Sequence, residues 1–484
     1  SVVYVGSTLD GDRDLWKVTW DGDEVKRLTK GNQRPSRLHW NTDGKSINFL
    51  GRGGSIKQAS ADSGKVSGLP FSTRIRIDPK ARQLQVFDEA WRTMGQRFYD
   101  PAMHGVDWEA MRAKYRPLAE VAVTYSEFSN IVNRMLGELN SSHLGFRGGG
   151  PDGVDESSGE LGLVLAPPDG QPGRTVVDVV PDGPAATAAA SIQVGERLMA
   201  IDDEPLDDDA RIYQLLRDRV RDRVRLKVQA QPELRRVHRR GDHGRNVRVA
   251  GEEREVIVRP ISTGALGNLL YEDWVRANQE RVDELSGGRL GYLHVRSMST
   301  PQLERFEQEL YSVAHGRDGL LIDVRNNGGG WTTDYMLAML MVKSHATTVP
   351  RGGGPGYPQG RRPLYAWSKP VATLCNQYSF SNAEIFSHSM QTLGRGQVIG
   401  METAGGVIST GGTRLMDGSW LRLPFRGWWS DGTGKNMEGN GAVPDHVVPM
   451  NPDDERSGSD PQLETAVRVL LDELGAAAGG STLR

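Results

Sequence analysis

Cysteine is almost missing from this chain, with Cys375 the only one among 484 residues. A single thiol excludes internal disulfides and cysteine-built zinc clusters, and a cytoplasmic compartment is the expectation that follows. Long apolar runs are missing as well: none approaches the ~18 residues that a membrane-spanning helix needs. Ser1-Val2-Val3-Tyr4-Val5-Gly6 enters a strand pattern directly, with neither an initiator methionine nor a signal peptide. The chain is therefore expected to be the C-terminal part of something longer. An excess of positive charge is lacking too. The net charge of −3 and isoelectric point near 6.4 give no overall basic field for nucleic acid or an anionic membrane. The local run Arg235 to Arg240, with Arg245 and Arg248, is flanked by Gly and Asp and reads as a solvated loop. Neither a metal-ligand cluster nor a phosphate-loop signature is present, so no cofactor is expected.

What is present is enough chain, 37% hydrophobic and 25% charged, for about three domains with their own cores. Residues 1–75 carry a repeat, in which Asp-Gly turns separate alternating strands such as Leu15-Trp16-Lys17-Val18 and Ile47-Asn48-Phe49-Leu50. That spacing predicts about two blades at the end of a β-propeller. Residues 76–150 turn helical, with Leu84, Phe87, Trp91, Met94 and Phe98 on one face, and end in Ser141-Ser142-His143 before a glycine-rich linker. Residues 156–262 alternate like strands around Asp182-Gly183-Pro184 and Val194-Gly195, an order that resembles PDZ domains. Gly162 and Leu163 then fall where such a domain binds a peptide carboxylate; a structural spacer of the same fold is the other reading. Residues 265–478 alternate short apolar strands with helices and read as α/β. The predicted architecture is multidomain α/β: partial β-propeller blades, a helical subdomain, a PDZ-like β domain and an α/β-sandwich domain.

The chemistry concentrates in four segments. In Asn376-Gln377-Tyr378-Ser379-Phe380-Ser381-Asn382-Ala383-Glu384-Ile385-Phe386 a strand pattern stops at Ser381 and a helix pattern begins. A serine there is either a helix N-cap or a nucleophile beside unpaired N–H groups, and Ser379 is a rival two residues earlier. Asp323 to Gly330 is a buried-strand pattern ending in three glycines, either a tight turn or donors for an oxyanion. His143 follows Ser142 at a helix end and is either a surface histidine or a base; His104, His315, His345 and His388 fall in contexts without an evident partner. Glu438, between turn residues, is either solvated or an orienting carboxylate.

Taken in order, Ser-His, Asp-x-Arg-x-Asn-Gly-Gly-Gly, Ser-x-x-Glu-Ile-Phe and Glu-x-x-Gly-x-x-Pro-Asp resemble the tricorn proteases, cytoplasmic relatives of the C-terminal processing peptidases. The resemblance covers essentially the full length. It implies a serine endopeptidase with a Ser/His/Ser/Glu tetrad: Ser381 as nucleophile, His143 as base, Ser142 and Glu438 orienting the imidazole, and the N–H groups of Gly329 and Asn382 as oxyanion hole. It also implies oligopeptide substrates released by the proteasome or comparable proteases, a hexameric ring, and cooperation with aminopeptidases. Two departures stand out: Asn382 replaces an aspartate, and Lys343 to Val349 lacks the acid that gives archaeal relatives a preference for basic residues. The lysine of a Ser/Lys dyad is absent from Glu402 to Ile408. A non-catalytic peptide-binding relative of the same fold is the alternative.

Overall fold

The computed structural model describes all residues except 9–10, 71–75, 149–156, 207–209, 232, 238–244, 250, 344, 354–356, 360–365 and 481–484, so the predicted linker after Arg147 and part of the basic run lie outside the described residues. Two compact units emerge, residues 1–79 and 80–484. The first holds two antiparallel sheets, one of three strands (Val2–Ser7, Arg13–Val18, Val25–Arg27) and one of four (Ser36–Trp40, Ser46–Leu50, Ile56–Ser60, Val66–Gly68). Leu15, Ile47, Phe49 and Ala59 form its core. These sheets do not close into a propeller among the described residues. The repeat was legible as strands and turns, but a ring needs partners beyond two short sheets.

In the second unit, three helices come first: Pro79–Arg97, Trp108–Val121 and Tyr125–Gly137. Asp107 caps the second by accepting from the Ala110 N–H, and Thr124 with Glu127 forms a capping box on the third. Their apolar faces share one core with Phe146, Leu421 and Leu423, which lie far along the chain. The link is a strand pairing: Gly145–Arg147 adds antiparallel to Trp420–Gly427, which pairs in turn with Ile408–Arg414. A separate sheet runs in the order Leu163–Leu165, Arg174–Val179, Arg197–Ile201, Val224–Gln229, Glu253–Val258, with Leu163–Leu165 at its edge.

The remaining residues build a five-stranded parallel sheet ordered Leu290–His294, Gly319–Asp323, Val371–Cys375, Gln397–Gly400, His446–Val447. Its first three strands are buried at every residue, as near-continuous apolar runs between two helical layers require. On one side Leu290, Tyr292, Leu321, Ala372 and Leu374 pack against helices Thr263–Ser286 and Pro461–Gly480. On the other, Leu293, Leu320, Ile322 and Val371 meet Phe306, Met336 and Phe386. The loops that follow Gly319–Asp323 and Val371–Cys375 converge at the carboxyl end of the sheet, where α/β folds gather ligands.

Candidate active site

Ser381 heads the helix Asn382–Thr392 with φ 57° and ψ −117°, a backbone that a non-glycine residue adopts only under constraint. The constraint is visible. Glu384, fully buried, accepts from the N–H groups of Ser381 (2.8 Å) and Gly406 (2.9 Å), from the Gly405 N–H, and from the Thr403 hydroxyl (2.7 Å). Burial pushes its carboxyl up, against the pull of Thr403 and those N–H donors. The N-cap position and the candidate nucleophile position are thus the same residue, with the backbone tied by Glu384 and the hydroxyl facing His143. Ser379 is spoken for: fully buried, its hydroxyl donates to the Val324 carbonyl (2.8 Å) and accepts the Asn376 N–H (3.0 Å).

The Ser381 hydroxyl lies 3.0 Å from His143 Nε2, and His143 Nδ1 lies 2.8 Å from Ser142 Oγ. Ser142 Oγ donates to Glu438 Oε2 at 3.0 Å, and the Ser142 N–H donates to Glu438 Oε1 at 2.6 Å. Because the Ser142 hydroxyl gives its proton to the carboxylate, it accepts from Nδ1–H, which leaves the Nε2 lone pair for Ser381. His143 is buried and stacks on Phe380, ring centroids 4.8 Å apart and 13° from parallel. Burial, helped by the nearby Arg422 charge, lowers its pKa from 6.5 to about 4, so the imidazole is neutral at ordinary pH. Asn133 fixes the chain beyond it by accepting the Phe146 N–H (2.7 Å) and donating to the Phe146 carbonyl (2.9 Å).

The glycine run backs the serine. Gly329 has φ 88°, and a Cβ there would lie 2.7 Å from that of Ser381 and 3.0 Å from Asn382 N, so this residue has to be glycine. Its N–H donates to Asn327 Oδ1 at 2.8 Å, so an oxyanion would share or replace that acceptor. Asn382 occupies the first helical turn, where its N–H has no carbonyl four residues back. Its side-chain oxygen accepts from the Thr333 N–H and hydroxyl, both at 3.0 Å. The segment Glu402 to Ile408, searched for a lysine, supplies backbone donors instead: Gly405 and Gly406 to Glu384, and Val407 to Glu438 (2.9 Å).

Gly162 and Leu163 lie far from this cluster along the chain. Gly162, at φ 72°, accepts the Val180 N–H through its carbonyl and heads the edge strand. Sequence reading missed four contributors near the serine. Glu384 was visible in the Ser-x-x-Glu spacing and Asn327 in the Asp-x-Arg-x-Asn motif, but neither had an assigned job; Phe380 and Arg422 carried no signal of their own. It also left His104 without a partner, whereas Tyr99 OH (2.6 Å) and the Leu139 carbonyl (2.8 Å) meet its ring nitrogens. A cleft of about 690 Å³ opens beside Ser381, walled by Trp331, Asp334, Ile385, Phe425 and Trp429. Its acid is Asp334, not a residue of Lys343 to Val349, of which Ser344 lies outside the described residues.

Glu384→Gln is expected to lower kcat for peptide hydrolysis about 10- to 100-fold with little change in KM. Loss of a hydrogen bond to a charged group costs roughly 1.5–3 kcal/mol, and the new amide would face the Gly405 N–H. Steady-state kinetics checks this, and an unchanged kcat in a folded variant would remove Glu384 from the positioning of Ser381.

Residues 289–448 match peptidase family S41, residues 79–137 the tricorn protease C1 domain, and residues 175–230 the PDZ domain. The chain is 31% identical over 476 residues to Tricorn protease homolog 1 of Streptomyces coelicolor, covering 96% of this chain and 41% of that protein. It is 26% identical over 452 residues to the tricorn protease of Thermoplasma volcanium, covering 90% of this chain and 41% of the relative. The crystal structure of the tricorn protease superimposes with a TM-score of 0.79 at 25% identity, over 96% of this chain and 44% of that one. The chain thus spans less than half the length of these relatives. With a tricorn C1 domain, a PDZ domain and an S41 domain following one another along the chain, it belongs to the tricorn-type serine peptidases of family S41.

Proposed function

We propose that this chain hydrolyses oligopeptides as a serine endopeptidase, through the tetrad Ser381, His143, Ser142 and Glu438. The observation that carries the reading is the unbroken line of hydrogen bonds Ser381–His143–Ser142–Glu438, with steps of 3.0, 2.8 and 3.0 Å. In this reading Ser381 Oγ attacks the scissile carbonyl while His143 Nε2 takes its proton, and the Gly329 and Asn382 N–H groups receive the oxyanion. As the tetrahedral adduct collapses, His143 passes the proton to the departing amine. Water then enters, gives a proton to the same nitrogen, and releases the acid from the serine ester. Ser142 and Glu438 hold the tautomer throughout.

Further parts of the reading rest on the kinship described above. Residues 1–75 are the last blades of a propeller, 76–150 and 265–478 the two halves of the peptidase, and 156–262 a PDZ module that grips peptide ends at Gly162 and Leu163. The enzyme works in the cytoplasm as a hexameric ring, on peptides released by the proteasome or similar proteases, and hands its products to aminopeptidases. Among the described residues no helix is long and apolar enough to cross a membrane.

A fluorophosphonate probe tests the core of this reading: Ser381 is expected to be labelled and His143→Ala to abolish labelling. A folded chain that stays unlabelled overturns it. The pH dependence gives a second check. With the free-enzyme base titrating near 4 rather than 6.5, the acid limb of kcat/KM is expected well below pH 6. Between those two values the unfolded chain binds more protons than the folded one, so His143 makes stability rise with pH across that window and fall as pH drops toward 4. An acid limb at 6.5 would contradict the burial described for His143.

A further inference from the structure

Tyr99 and His104 stand outside the tetrad but touch both segments that build it. The tight turn Met103–Gly105 holds two successive non-glycine residues at left-handed backbone angles, Met103 at φ 51° and His104 at φ 53°. Such angles persist only where neighbours impose them. Asp100 does so by accepting the N–H groups of Ala102 (3.0 Å) and His104 (2.9 Å). The turn aims the imidazole at two partners. His104 Nδ1 lies 2.8 Å from the Leu139 carbonyl, and a carbonyl only accepts, so Nδ1 carries the proton. Nε2 of the neutral ring is then an acceptor, and Tyr99 OH donates to it at 2.6 Å. The Tyr99 oxygen keeps a lone pair for the Asn436 side-chain amide. Burial above all, with the charges of Glu438 and Asp100, pushes the phenol above its ordinary value, against that hydrogen bond from Asn436. Asn436 Oδ1 in turn accepts the Glu438 N–H at 3.0 Å.

The run Leu139–His104–Tyr99–Asn436–Glu438 therefore joins the two segments that have to meet. Leu139 lies three residues before Ser142, and Asn436 two before Glu438. Between Leu139 and Leu144 the chain turns on Asn140 (φ 44°) and His143 (φ 61°), so the place of Ser142 depends on where that turn is held. The hydrogen bonds from Ser142 to Glu438, 2.6 and 3.0 Å long, tolerate little sliding of one segment past the other. Tyr99, His104, Ser142, Asn436 and Glu438 line one cleft of about 470 Å³, while Ser381 lines the cleft of about 690 Å³. The pair thus meets the reaction through Ser142 and Glu438 and not through a substrate held at Ser381. Resting on the peptidase reading above, we propose that Tyr99 and His104 are positioning residues that clamp the Ser142 turn against the Glu438 segment and so set the orientation of His143. A hydroxyl and an imidazole suit the task, since each donates on one side and accepts on the other and thus gives the run a single direction.

Three substitutions in the full chain test the clamp, with kcat counted per fluorophosphonate-titrated site so that misfolded chains drop out. Tyr99→Phe is expected to lower kcat about 3- to 10-fold, the order for a lost neutral hydrogen bond, with KM within about twofold. Asn tolerates left-handed angles and sets its amide where the imidazole Nδ1 stands, so His104→Asn keeps the Leu139 bond, loses the Tyr99 one, and should match Tyr99→Phe. His104→Ala loses both bonds and should cost about 10-fold or more. Added to Ser142→Ala, Tyr99→Phe should cost less than it does alone, because the hydroxyl it helps to place is gone. An unchanged kcat per site in Tyr99→Phe, the result of a merely structural role, overturns the clamp, and so do losses that multiply in full with Ser142→Ala. Hydrogen exchange gives a readout that needs no catalysis. In the chain carrying Ser381→Ala, Tyr99→Phe is expected to quicken exchange of the amides of residues 140–144 about fivefold or more, and unchanged exchange there overturns the clamp. Quickened exchange beside an unsubstituted chain that takes no label and cleaves no peptide would instead overturn the peptidase reading and leave the clamp standing.

Discussion

Ser381→Ala is expected to lower kcat for peptide hydrolysis about 10⁴- to 10⁶-fold, the range seen when a serine nucleophile or its base is removed. The fold should survive, because the backbone at Ser381 is held by the Glu384 carboxylate and not by its own hydroxyl. His143→Ala should lose about as much, and the double variant no more than either alone, since in the proposed mechanism the two act as one unit of nucleophile and base. Glu438→Gln and Ser142→Ala should cost less, because they disturb the orientation of His143 rather than remove a proton carrier. The two are coupled: Glu438 also binds the N–H groups of Ser142 and Val407, so its replacement loosens the turn that carries His143 as well as the tautomer. Active-site titration with the fluorophosphonate, alongside kcat and thermal melting, separates chemistry from folding. Additive losses in the double variant would sink the idea that the two residues form one catalytic unit.

Much of this site could be read locally, and the reason is physical. A serine that ends an apolar strand pattern and starts a helix stands beside unpaired N–H groups, and glycines after a buried strand permit close backbone approach, which Gly329 and Gly330 use while Gly328 faces open space. Both statements concern neighbours in sequence. Ser142 and Glu438, by contrast, are 296 residues apart and meet through folding alone, so their pairing had no local signal. The same limit explains Phe380, which stacks on His143 because Gly406 leaves room: a Cβ there would sit 2.1 Å from the Phe380 ring. It also explains the helical segment, predicted as a subdomain. Helix periodicity showed its apolar faces, while the Leu421 and Leu423 that complete its core arrive on a strand paired with Gly145–Arg147. The propeller expectation needs more than local pattern for the opposite reason. Strand-and-turn repeats specify sheets, and whether sheets close into a ring depends on how many there are.

The second large effect lies beneath the site, in the Asp-x-Arg pair that the sequence offered only as motif letters. Arg325 is 4% exposed and Asp323 fully buried; the guanidinium meets Asp323 at 2.7 Å and Asp460 at 2.8 Å, while Tyr292 OH donates to Asp323 at 2.9 Å. His294 Nε2 holds the Arg325 carbonyl at 2.9 Å, so this network anchors the start of the glycine run. Arg325→Met is expected to destabilise the chain by about 3–5 kcal/mol, because it leaves a buried carboxylate without its cation. The pH dependence carries the sign. Burial pushes the Asp323 carboxyl up, but the charge and hydrogen bonds of Arg325, with His294, outweigh it and hold the group below its ordinary 3.8. That stabilisation is present above the unfolded value and lost as pH falls through the folded one. Without Arg325 the burial is unopposed, the carboxyl rises, and the deficit should be greatest at neutral pH and shrink as acid neutralises Asp323. Adding Asp323→Asn should recover part of the loss and remove its pH dependence, which urea unfolding at pH 5 and pH 8 would reveal. A deficit that is the same at both pH values in the Arg325→Met chain would mean that lost packing, and not an unpaired charge, sets the cost. Because Arg325 lies four residues before Gly329, the folded fraction of this variant should also turn over peptide more slowly, with the loss in kcat rather than KM.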